Sequence, residues 1–197
     1  MKHACLPLAA LWAVLALTPA SAQDQVLTFD HRVAGDRAMT LQMGPILPLF
    51  FQSLAGTISA TQLTPGGSLA IDVDFYLDDN LRLGGGIKGM AAFGINNHTL
   101  FMVPLMFRTT WELKSFPWSF PVGFGTGFAF TSYLNHSWLD PFIQPTAGAY
   151  WNVSPSWSFG VDLSYWLLAD LYFGTPPASE SRLGNFAELS LGSIYHF

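Results

Sequence analysis

Eight ionisable residues, Asp72, Asp74, Arg82, Lys88, Arg108, Glu112, Asp162 and Glu188, are set into apolar stretches. Ile71 and Val73 flank Asp72, Trp111 and Leu113 flank Glu112, and Val161 and Leu163 flank Asp162. Successive side chains of a β-strand point to opposite faces, so this spacing puts the charges on one face and the large apolar groups on the other. Inside a closed wall, such charges can pair with one another and with trapped water. They form an ionic lumen network, which is electrostatic scaffolding and not a nucleophile with its base. The remaining reactive residue types do not assemble. His98, His136 and His196 lie on different segments without metal-ligand spacing. Gly84, Gly85 and Gly86 lack the lysine of a phosphate loop. Asn135-His136-Ser137, with Asp140, reads as the polar tip of a surface loop. No catalytic residue, metal site or cofactor is expected.

The chain that must position these charges opens with Lys2 and His3, an apolar run over residues 6–17, and Ala20-Ser21-Ala22 before Gln23. That is the pattern of a cleaved secretory signal peptide over residues 1–22. The run is short for a bilayer span, which takes about 20 apolar residues. The only cysteine, Cys5, leaves with it, so the exported chain has no disulfide. Removing Lys2 takes the formal charge from −5 to −6, which argues against nucleic acid as a partner. Residues 23–38 are polar and read as a short N-terminal extension. Charged residues are only 11% and hydrophobic residues 50% of the chain, against about 25% charged in a soluble domain. With no run of 18 or more apolar residues beyond the signal, only a closed β-barrel remains for crossing a membrane.

Period-two segments separated by turn residues begin at Met39. The spacing predicts eight strands, at 39–50, 68–78, 81–94, 99–113, 118–131, 142–153, 156–168 and 187–197. All eight charges fall opposite the large apolar residues. The inner face of the third and fifth strands is rich in glycine, which relieves crowding in a lumen that eight strands leave about filled. Links after the second, fourth and sixth strands are short. Those at 51–67, 132–141 and 169–184 are long, and 95–98 is a short member of that set. Short turns on one side and long loops on the other is the rhythm of an eight-stranded antiparallel up-and-down transmembrane barrel over 39–197, with both termini periplasmic. Trp111, Trp118, Trp151, Trp157 and Tyr195 cluster near the short-turn ends, as an interfacial girdle would. Pro104, Pro121 and Pro145 fall inside strands. They mark either bulges or a lateral opening in the wall, because proline removes a ladder donor.

Phe197 at the end, Tyr195 two residues before it and alternate leucines upstream resemble the C-terminal insertion signal of bacterial outer-membrane β-barrels. The resemblance implies recognition by the barrel-assembly machinery and periplasmic chaperones during biogenesis, and outer-membrane lipids as surroundings. In strand count, size, loop rhythm and proline-bearing strands the chain is similar to the small OmpW/OmpX-like class. For the OmpW-like members, lateral passage of small hydrophobic compounds is the implied activity. A narrow channel for such solutes is the first functional expectation. A barrel whose outer loops bind host or envelope partners is the second. A lipid A-modifying enzyme is the third, and His136 and Ser137 are adjacent where the deacylase pattern spaces them by one residue.

Overall fold

The computed structural model describes residues 31–53, 56–94, 98–133, 136–171 and 181–197. The expected signal peptide, residues 23–30 of the extension and the side chain of His136 lie outside the described residues. Nine strands occur among those described: β1 (Arg37–Ser53), β2 (Ile58–Ser59), β3 (Leu63–Tyr76), β4 (Leu81–Gly94), β5 (Thr99–Ser115), β6 (Trp118–Tyr133), β7 (His136–Ser154), β8 (Trp157–Asp170) and β9 (Arg182–His196). From β3 onward each pairs antiparallel with the next, β1 pairs with β3, and β1 closes on β9. The closing ladder runs from Ala38↔His196 to Ser53↔Arg182. The result is an eight-stranded up-and-down barrel, with β2 a two-residue flap on the end of β1. Closure satisfies the backbone of every strand and leaves no long edge, which an apolar solvent requires.

The wall is apolar outward. Leu105, Phe107, Leu163 and Leu191 are 57–66% exposed, and no charged side chain faces outward between the strand ends among the described residues. Along β5 the outward apolar stripe runs from Phe101 to Leu113. Twelve steps of about 3.3 Å at a tilt of roughly 40° reach about 30 Å, the thickness of a bilayer's hydrocarbon. At the short-turn end Trp118 stacks on Trp151 at 6.3 Å and Trp157 lies 4.9 Å from Tyr195, centroid to centroid. These rings cluster at that end of the barrel, where the spacing puts them.

The strands outrun their expected limits at the opposite end. β3 starts at Leu63, β9 at Arg182, and β7 at His136, so residues 136–141 are ladder and not loop. Ser137 pairs with Ser132 and Asp140 with Ala129. Past the membrane both faces of a hairpin meet water or the barrel mouth. The apolar-polar contrast that reveals a strand then fades, although the ladder continues. β1 likewise passes through Pro45 and Pro48 and begins two residues before Met39, with its irregularity absorbed between Pro48 and Phe50.

The outward stripe carries a prediction. Phe107 sits midway along it, so Phe107→Arg should cost about 2–4 kcal/mol more than Phe107→Ala. Reversible urea unfolding in lipid vesicles measures the difference.

Candidate functional site

All eight charges point into the barrel and each is at most 8% exposed. Their direct contacts fall into groups along the barrel. Near the short-turn end Arg108 donates to Asp72 (2.8 Å) and Asp74 (3.1 Å), while Arg82 lies 3.8 Å from Asp74. Farther along, Lys88 donates to both oxygens of Glu188, at 2.9 and 2.8 Å, and Trp166 Nε1 donates to the same carboxylate at 2.9 Å. Three cations serve five acids. The two acids left over are met by phenols. Tyr76 donates to Glu112 at 3.1 Å, and Tyr150, with Gln42 at 2.7 Å, donates to Asp162. An unpaired buried carboxylate costs several kcal/mol, so these donors are structural necessities. Sequence reasoning did not assign these partners. The inward parity of Tyr76, Tyr150 and Trp166 was the available signal.

The inner-wall glycines make this packing possible. A Cβ on Gly86 would collide with Asp72, on Gly84 with Asp74, and on Gly192 with the Tyr150 hydroxyl. Backbone therefore approaches the ionic side chains directly. A void at this level, between Gln42, Arg82, Arg108 and Tyr150, is only ≈ 20 Å³, about room for one water. The short-turn half is a plug.

The long-loop half differs. Ile46, Met90, Leu100, Met102, Phe142, Leu168 and Phe186 form an apolar cluster inside the wall. Over it lies a cavity of ≈ 190 Å³ lined by Phe51, Leu63, Leu100, Leu168 and Phe186, with Thr131, Trp138, Asp140, Asp170 and Arg182 as polar members of its lining. A second cavity of ≈ 360 Å³ shares Phe51, Thr61, Tyr133 and Arg182 with the first and reaches toward the β2 flap. The lumen is thus an apolar cup above an ionic floor.

Pro104 and Pro121 face inward and Pro145 outward. No register shift accompanies any of them; the irregularities fall at Pro48/Phe50, Thr64/Gly67 and Asn152/Ser154. Each proline instead leaves one of its two ladders without bridges. Pairing between β4 and β5 skips Val103 and Pro104, between β6 and β7 Phe120 and Pro121, and between β7 and β8 Gln144 and Pro145. Pro104 and Pro145 lie at the height of the Lys88–Glu188 pair, whereas Pro121 lies opposite Glu112 in the plug. Tyr195 and Phe197 are outward and stack at 5.7 Å. His196 turns inward, between Tyr76 and Ser158. Ser137 and Asp140 take opposite faces of β7, so they cannot act on one bond.

At the short-turn mouth the segment before β1 bridges two turns. Asp79 accepts from the Arg32 amide (2.6 Å) and Lys114 Nζ (2.7 Å), with His31 Nδ1 3.6 Å away, and Arg32 Nη2 donates to the Pro155 carbonyl at 2.8 Å. Burial alone would raise the Asp79 carboxyl. The hydrogen bonds from Lys114 and Arg32 and the nearby Lys114 and His31 charges outweigh it and hold it below the ordinary carboxylate value.

Two predictions rest on these contacts. Lys88→Met strands Glu188 and should cost about 3–5 kcal/mol, whereas Lys88→Met with Glu188→Gln should recover much of the loss; denaturant unfolding of the four-member cycle reads the coupling. The Asp79 clasp contributes fully above the unfolded-state value of about 3.9 and is lost as pH falls through its depressed folded value. The Arg32 amide resonance should follow that titration in the native chain and lose the step in Asp79→Asn.

A protein-family model matches residues 20–195. Two curated relatives are uncharacterized proteins. That of Treponema pallidum is 25% identical over 69% of this chain and 61% of its own length, so the match spans less than two thirds of that relative. That of Borreliella burgdorferi is 26% identical over 74% of this chain and 76% of its own. Among solved structures, Neisserial surface protein A has a TM-score of 0.56 at 12% identity, covering 83% of this chain and 98% of that one. OprG of Pseudomonas aeruginosa has 0.52 at 9%, covering 86% and 99%. AlkL, solved in lipid bilayers, has 0.51 at 15%, covering 92% and 95%. The chain therefore belongs to the family whose model spans residues 20–195, and its fold is that of the small eight-stranded, OmpW/OmpX-like class of outer-membrane β-barrels.

Proposed function

We propose that the protein is a non-enzymatic barrel of the outer membrane that admits small apolar molecules at its long-loop end and passes them sideways into the bilayer. In this reading both termini are periplasmic, an N-terminal signal peptide directs export, and Tyr195 and Phe197 present the strand that the assembly machinery recognises. The observation that carries it is the division of the lumen. A largely apolar cavity of ≈ 190 Å³ lies above a packed ionic layer that encloses a void of only ≈ 20 Å³. A cavity of about 150 Å³ lined by apolar side chains holds benzene, so the cup fits a single ring or a short alkyl chain. Straight passage would require dismantling buried ion pairs. Lateral exit requires only that strands part where bridges are already missing, and Pro104 and Pro145 lie at the level of the cup's floor.

This reading predicts selective passage. In vesicles with a lipopolysaccharide outer leaflet the protein should speed the entry of toluene and leave glucose entry unchanged, and planar bilayers should show no sustained potassium conductance. Pro104→Val with Pro145→Val, which restores ladder donors, should slow toluene several-fold. Unchanged toluene entry in the double variant would exclude the lateral route, and steady potassium current would exclude the plug.

A further inference from the structure

One wall of the cup is polar, and three of its polar atoms make no hydrogen bond of ordinary geometry. Thr131 on β6 stands in register with Trp138 on β7, and Asp140 follows two residues on, so the three side chains share the inner face. All three line the 190 Å³ cavity. Asp140 is 2% exposed and Thr131 2%. Yet Thr131 Oγ1, Trp138 Nε1 and Asp140 Oδ2 are buried without a hydrogen bond of ordinary geometry, although they lie near one another. Buried polar groups are nearly always partnered, because an unmet donor or acceptor costs about 1–3 kcal/mol. The rest of the lining is the apolar group of Phe51, Leu63, Leu100, Leu168 and Phe186, with Thr61, Tyr133, Asp170 and Arg182 as its other polar members.

We propose that this wall is a head-group site, and that the cup's ligand is a small amphiphile with one hydroxyl or amino group on an apolar ring or short chain. The inference rests on the apolar-cup reading and narrows its ligand class. A hydroxyl satisfies the site in both senses. It accepts from Trp138 Nε1–H and donates to Asp140, while Thr131 can do either. An ammonium would donate to Asp140 and Thr131. A carboxylate ligand would be repelled by Asp140, and Arg182, the guanidinium on this cavity, stands in register with Asp170. A hydrocarbon of the same shape would fill the apolar side but leave the three polar atoms unmet.

The test is a nearly isosteric series: toluene, benzyl alcohol, benzylamine and benzoate, each bound at equilibrium to the full barrel in lipid nanodiscs and corrected against empty nanodiscs. Benzyl alcohol and benzylamine should bind about tenfold or more tighter than toluene, the advantage of a hydrogen bond to a charged group, and benzoate more weakly than toluene. Asp140→Asn and Trp138→Phe should each bring the alcohol close to toluene and leave toluene unchanged, with the folded state verified by circular dichroism. If toluene binds and the four ligands do not differ, or if the alcohol keeps its advantage in both variants, the head-group site is overturned while the apolar cup stands. If the alcohol and amine bind but toluene does not, the head-group site stands and the apolar-passage reading falls. If none binds, both fall.

Discussion

The whole structure follows from where a charge can be placed in a wall only one strand thick. Lipid offers neither water nor counter-ion, so a charged side chain on the outer face costs several kcal/mol. The only other face is the lumen, which eight strands leave about full. Asp72, Asp74, Arg82, Lys88, Arg108, Glu112, Asp162 and Glu188 are forced together by that geometry, whatever else they do. Once there, they must be neutralised across the barrel. Arg108 is shared between Asp72 and Asp74, Lys88 reaches Glu188, and phenols answer for Glu112 and Asp162. Glycines clear the backbone from their path. A lumen packed in this way is rigid and closed.

Closure at one end determines what the other end can be. Where the ionic layer stops, the inner face turns to Met90, Leu100, Phe142, Leu168 and Phe186, which do not fill the space above them. In the proposed function this recess captures small molecules, which leave the way they came or through the wall. The prolines matter here because they thin the ladder without shifting its register. Wall continuity and local weakness therefore coexist at Pro104 and Pro145.

Much of this was legible in the chain because lipid imposes a strict alternation. Any strand residue beside Ile71 or Val161 had to face the other way, so the inward set could be read without knowing a single contact. Three things were hidden. Pairing across the lumen joins residues as far apart as Lys88 and Glu188, 100 positions distant, and no local pattern encodes it. Residues 136–141 continue the β6–β7 hairpin to the barrel mouth, where the inner face carries Trp138 and Asp140 and the contrast between faces fades; hence they read as loop. The polar wall of Thr131, Trp138 and Asp140 was concealed by the same loss of contrast. Asp140 drew notice as a partner of His136 and Ser137, yet Ser137 points outward and Asp140 inward.

The account stands on the wall being apolar outside and ionic within, and contact with lipid measures that directly. Solid-state NMR of the protein in bilayers with protonated acyl chains can detect transfer from those chains to individual side chains. Strong transfer to Leu105, Leu163 and Leu191, with none to Ile46, Ala70 or Ile194, is the result the account predicts. Acyl-chain contact at Ile46 or Ile194, or its absence at Leu163 and Leu191, would contradict it.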